Sequence, residues 1–112
     1  MMTEITVRDY LAQKLAPVEV YLETPERPPA SYVLVRKTGS DRENRILEDD
    51  VALQSIAPSR YEALVLNDRV KAAMDVMGPA DGVFIARINT DYEYTDTASK
   101  SYRYQAIYQI YH

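Results

Sequence analysis

Cysteine and tryptophan are absent from the 112 residues, histidine and phenylalanine occur once each, and glycine occurs three times. Without cysteine the chain has neither disulfides nor a thiolate metal site, which suits a reducing compartment. The glycines, at 39, 78 and 82, fit no phosphate-cradling loop. The single histidine is His112, at the last position of the sequence. Chain ends are usually mobile and a catalytic base needs a fixed orientation, so no nucleophile–histidine scheme is expected. No apolar run approaches membrane-spanning length, and no charged leader precedes an apolar core, so neither insertion nor export is expected. Basic charge is also short: the formal net charge is −4, which argues against wrapping nucleic acid.

What is abundant is tyrosine, ten residues of it. Its large contact area and polar tip suit half-buried sheet faces and protein interfaces alike. The strongest helical periodicity runs from Ser59 to Met77. Ser59 is a suitable N-cap, and Glu62 can reach back to its amide to complete a capping box. Ala63, Leu66, Val70, Ala73 and Met77 make an apolar stripe that Leu64, Val65, Met74 and Val76 widen. Pro58 turns the chain before the cap and Gly78-Pro79 ends the helix. A helix with so broad an apolar face requires a sheet or a second helix to cover it.

A shorter helix is expected over residues 3–16, capped by Thr6 with Asp9 as its acidic partner and ended by Pro17. Its face carries Val7, Tyr10, Leu11, Lys14 and Leu15. Val18–Leu22 alternates as a strand, and residues 23–30, with three prolines among charges, form an exposed connector. Ser31–Thr38 and Asp50–Ile56 are strands joined by a charged segment, residues 39–48, with no regular pattern. Val83–Tyr92 is a strand placing Phe84, Ala86, Ile88 and Tyr92 on one side. Tyr102–Tyr111 is another, with Tyr102, Tyr104, Ala106, Tyr108 and Ile110 together and Arg103, Gln105 and Gln109 opposite. The order α-β-β-β-α-β-β defines one α+β domain. Its sheet is mixed, mostly antiparallel and of about five strands, with both helices packed on one face.

Two acidic groups invite a cation: Glu48-Asp49-Asp50, and Asp91 with Glu93 and Asp96. Consecutive strand residues point to opposite faces, and the second group lacks calcium-loop spacing, so solvated rims are expected and no metal or cofactor. The tyrosines at 92 and 94, and at 102, 104 and 108, are either cross-strand packing or a stacking platform. Mixed charge at Arg36, Lys37, Arg42 and Arg45 beside Asp41, Glu43 and Glu48 suits a protein partner or plain solvation better than nucleic acid.

Four features carry a family resemblance. They are the proline-rich segment before Tyr32–Val35, the junction Leu53-Gln54-Ser55-Ile56-Ala57-Pro58-Ser59, the alanine-rich helix, and the closing strand with Arg103-Tyr104-Gln105. In their order and spacing the chain resembles, over nearly its whole length, the small tail completion (tail terminator) proteins of siphovirus-like bacteriophages and prophages. The resemblance implies a non-enzymatic virion protein, assembled in the bacterial cytoplasm. It implies a ring, typically hexameric, on the head-proximal end of the tail tube. Its partners would be copies of itself, the major tail tube protein and a head connector or stopper, with room for a genome to pass through. By analogy and exposure, the contacts fall on Ser40, Asp41, Arg42, Glu43, Asn44, Arg45, Ile46 and Leu47. Residues 39–48 are then expected to be disordered in the free subunit. The competing readings are another neck component of such particles, a small-ligand binder using the Asp/Glu-Tyr surface, and a general interaction domain.

Overall fold

The computed structural model describes residues 2–43, 46–95 and 101–112. Its elements are α1 (Thr3–Lys14), β1 (Glu19–Tyr21), β2 (Tyr32–Glu43), β3 (Ile46–Ala57), α2 (Arg60–Asp75), a 3-10 turn (Pro79–Asp81), β4 (Ile85–Glu93) and β5 (Tyr102–Tyr111). The strands form one sheet in the order β1-β2-β3-β5-β4, parallel only between β1 and β2. This is the α+β architecture expected, with both helices on one face. The parallel β1–β2 pair is made possible by the proline-rich connector, which crosses from one strand to the start of the next without pairing.

The core lies between the helices and one face of the sheet. Val7, Leu11 and Leu15 of α1, and Leu66, Val70 and Met74 of α2, meet alternate strand residues such as Val33, Val35, Val51, Leu53, Ala106, Tyr108 and Ile110. The helices are also tied to each other by polar contacts at points where a backbone carbonyl would otherwise be buried unpaired. The Tyr10 hydroxyl donates to the Ala73 carbonyl at 2.6 Å, and Arg69 Nη2 donates to the Leu15 carbonyl at 3.3 Å.

Helix α2 starts where its cap predicts. The Ser59 hydroxyl accepts from the Glu62 amide at 3.1 Å and donates to the Glu62 carboxylate at 2.9 Å. The carboxylate thus meets the hydroxyl rather than the Ser59 amide, so only half of the expected box forms. Ser59→Ala removes the acceptor and is expected to cost about 1 kcal/mol in urea denaturation. The apolar stripe is narrower than its sequence: Ala63, Leu66, Val70, Met74 and Met77 are buried, while Leu64, Val65 and Val76 are exposed.

Helix α1 begins three residues before Thr6, and its N-cap position, Met2, makes no side-chain cap. Thr6 instead lies in the first turn, its amide donating to the Met2 carbonyl. The cause is tertiary: Thr3 is 2 % exposed and its hydroxyl donates to Asp49, which fixes the start of the helix.

Residues 39–43 and 46–48 are strand rather than irregular loop in this structure, and residues 44 and 45 lie outside the described residues. Pairing between β2 and β3 continues through Ser40↔Asp49, Asp41↔Glu48 and Arg42↔Leu47 to Glu43↔Ile46. A bulge at Thr38 shifts the register of β2, and this breaks the alternation by which a strand is recognised. A second bulge at Asn89 does the same to β4. Before it Ala86 and Ile88 share the helix side. After it Tyr92 turns to the opposite face, contrary to expectation, and Asp91 and Glu93 turn toward α2.

Candidate interaction surfaces

The face of the sheet away from the helices is a grid fixed by strand register. One row runs Leu34–Gln54–Gln105–Tyr92 and the next Arg36–Ala52–Ile107–Thr90. Gly39–Asp50–Gln109–Arg87 and Asp41–Glu48–Tyr111–Ile85 follow toward the hairpin tip. The first row is locked by polar side chains. Gln54 Nε2 donates to Gln105 Oε1 at 2.8 Å, and Gln105 Nε2 donates in turn to the Tyr92 hydroxyl. Tyr32, Leu34 and Ile56 form a small separate cluster on this face, with Tyr21 edge-on to Tyr32. Amides, tyrosines and isolated charges on this face form a mixed surface of the kind found at protein interfaces.

The hairpin residues expected to make contacts are placed as follows. Ser40, Asp41, Arg42 and Ile46 are exposed and Leu47 is half-buried, all within paired strands. Glu43 closes β2, and Asn44 and Arg45 lie outside the described residues. Ser40 is not free, since its hydroxyl donates to Asp49 Oδ1 at 2.6 Å.

That bond belongs to a buried polar cluster the sequence did not announce. Asp49 Oδ2 accepts from Thr3 and lies 2.8 Å from His112 Nε2, so one carboxylate gathers side chains from α1, β2, β3 and the residue after β5. His112 is far from mobile: its side chain is 8 % exposed and its backbone pairs with Leu47 in both directions. Burial alone would raise the Asp49 pKa. Hydrogen bonds from Ser40, Thr3 and His112, with the His112 charge behind them, outweigh burial and hold the carboxyl below its ordinary range. Thr3 lies 3.2 Å from the same Nε2 that faces Asp49, so hydroxyl and carboxylate compete for one nitrogen. A base needs its two nitrogens divided between orienter and nucleophile. The cluster therefore works as a clasp.

Two further acidic residues join elements of the fold. Asp91 accepts from Asn67 at 2.9 Å and from Lys71 at 2.6 Å, joining β4 to α2. The bond to Asp91 raises the Lys71 pKa despite partial burial. Glu93 pairs with Arg60 at 3.4 Å. Glu48 and Asp50 point away from Asp49, and Asp96 lies outside the described residues. Among the described residues no group of three or more His, Cys, Asp or Glu side chains is placed to hold a metal ion. Asn67, fully buried on α2, gave no sequence signal because it occupies a core position of the apolar stripe.

Two apolar areas remain uncovered. Tyr61 and Val65 stand exposed on α2 and, with Val18, Ser31, Glu62, Leu66 and Arg69, line a groove of about 210 Å³, whereas the exposed Leu64 lies on the side of α2 where Arg60 and Lys71 meet β4. At the other side of the sheet the edge strand β4 and its flanks expose Phe84, Ile85, Ile88 and Tyr92. A further groove, of about 470 Å³, runs along Arg8, Ala12 and the stretch from Ala16 to Tyr21.

Fold and surfaces together define a two-layer α+β domain with both helices on one face of a five-stranded sheet. Compared with known proteins, the chain matches no protein-family model and no curated protein.

Proposed function

We propose that the chain is a non-enzymatic structural protein of a long-tailed phage or prophage. In this reading it forms a ring, typically hexameric, on the head-proximal end of the tail tube. The ring stops tube polymerisation and presents a surface for joining to the head connector or stopper. The observation that carries the reading is where the polar chemistry goes. Asp49, Asp91, Asp75 and their partners are consumed by contacts between elements, and the outward surfaces include the sheet face away from the helices and the strand edges. Such surfaces suit many-copy association, and the ordered sequence features described above supply the particular role. Ring closure requires two different patches per subunit, because one self-complementary patch ends at a dimer.

The hairpin from Ser40 to Leu47 is assigned to contacts with the tube or with neighbouring copies. Electron microscopy of purified protein added to assembling tail tubes tests the proposal. Tubes arrested at one end, with protein bound at that end only, are the expected result. Tubes that elongate unhindered and carry no bound protein would refute it. Binding to isolated connector without binding to tube ends would reassign the chain to another neck component.

A further inference from the structure

The hairpin assigned to contacts leaves the sheet at one row of residues, and the Asp49 cluster sits at that row. β1 pairs with β2 only from Tyr32 to Leu34, and β5 pairs with β3 only as far as Glu48. Beyond the Leu47–His112 backbone pair the two hairpin strands have only each other among the described residues. We propose that Thr3, Ser40, Asp49 and His112 are positioning residues, which hold the hairpin in one fixed direction relative to the sheet and so present its contact surface ready-made. This rests on the assignment of the hairpin to contacts and names what aims it.

A two-stranded ribbon is marginal by itself, so its direction depends on its base. Two features meet there. The bulge at Thr38 lies two residues before Ser40, and a bulge bends its strand and adds local twist. The Thr38 hydroxyl donates to the Asp50 carbonyl at 3.3 Å, which ties the bend to β3. The clasp then closes on the helix side. Ser40 donates to Asp49 Oδ1 at 2.6 Å from β2, while Thr3 and His112 hold Oδ2 from α1 and from the end of β5. One carboxylate on the second hairpin strand is thus fixed against the first strand and against both elements beside the hairpin.

Stability alone does not call for this chemistry. Asp49 shares its strand face with Val51, and its cross-strand partner is Ile110, both fully buried and apolar. An apolar side chain would bury there without desolvating a charge. Replacing a buried ion pair and its partners by well-packed apolar groups is often neutral or stabilising. Apolar packing does not supply direction, because burial is non-directional whereas a hydrogen bond weakens steeply when it is bent.

The chain has no cysteine, so spin labels go only where they are placed. Arg42→Cys on the hairpin and Tyr61→Cys at the start of α2, both exposed, carry one label each, and the distance between labels is read by electron spin resonance. One clasp variant combines Thr3→Val, Ser40→Ala, Asp49→Leu and His112→Leu. A second, Ser40→Ala alone, cuts only the bond from β2 and decides the matter should the first not fold. The otherwise wild-type chain is expected to give one narrow distance distribution. The clasp variants are expected to keep its circular dichroism and its cooperative unfolding in urea while the distribution broadens. Without labels they should cap tube ends about tenfold less well, the equivalent of one lost hydrogen bond. A broad distribution with the clasp intact, or a narrow one at the same distance in every clasp variant that folds, would overturn the inference. Broadening that appears only together with a loss of unfolding cooperativity would overturn it too, as general loosening. So would clasp variants whose hairpin swings freely yet cap tubes as wild type does. Should wild type itself leave tubes uncapped, the capping proposal falls and the label distances still decide this one.

Discussion

Tyr108→Ala is expected to lower the unfolding free energy by about 3–5 kcal/mol, the range for deleting a large buried aromatic. Tyr108 is fully buried at the centre of β5 and belongs to the main core cluster beneath α2. Its ring fills the space between sheet and helix. Its hydroxyl donates to Asp75 at 2.7 Å and lies 3.3 Å from the Lys71 carbonyl. Truncation therefore opens a cavity and releases the C-terminal turns of α2 together. Tyr108→Phe separates the two contributions. Asp75 is exposed and can be solvated once abandoned, so the phenylalanine variant should lose only about 1 kcal/mol.

The two variants also differ from wild type in alkali. Burial pushes the Tyr108 phenol above its ordinary pKa, and the hydrogen bond and charge of Asp75 push it further. The unfolded chain releases this proton near pH 10 and the folded chain does not. The contribution is complete below that pH and is lost as pH rises above it. Urea denaturation between pH 8 and 11 should show a steeper alkaline decline for wild type than for Tyr108→Phe (about pH 10 marks its onset). Equal slopes would mean that the phenol is solvated in the folded state.

The central helix and the closing strand were legible because local and global signals agree in both. Pro58, Ser59, Glu62 and Gly78 mark α2 without help from the rest of the chain. β5 alternates without a bulge, so its inward set of Ala106, Tyr108 and Ile110 follows from period two alone. The failures share one cause, a long-range contact that overrides a local pattern. Thr6 has better capping company than Thr3, yet Thr3 meets a carboxylate 46 positions away. The end of β2 from Lys37 to Arg42 is charged because it looks outward, and its bulge hides the remaining period. Asn89 inverts the faces of β4 by adding one residue, which no hydrophobicity pattern records. Leu64 and Val65 looked like core because composition cannot tell a face covered by the chain's own sheet from one left open.

His112 was misjudged for a related reason, since its position in the sequence said nothing of the carboxylate that holds it. Asp49→Ala is expected to cost about 3 kcal/mol or more, because it strips three donors of one acceptor inside the fold. Thr3, at 2 % exposed, cannot turn to water without freeing the start of α1. His112 loses its partner on the strand next to β3, so the end of β5 should loosen at the same time. Hydrogen exchange should then show faster exchange at the amides of Thr6, Leu47 and His112, three positions that ordinary core loosening would not select together. Asp49→Asn isolates the charge. The folded carboxyl titrates below its ordinary value, so its stabilisation is complete above roughly pH 4 and drains away as pH falls through the folded pKa. Wild type should lose stability through that acid window more steeply than Asp49→Asn. An asparagine variant that matches wild type both at pH 7 and along the acid limb would show that the hydroxyls, and not the charge, hold the clasp closed.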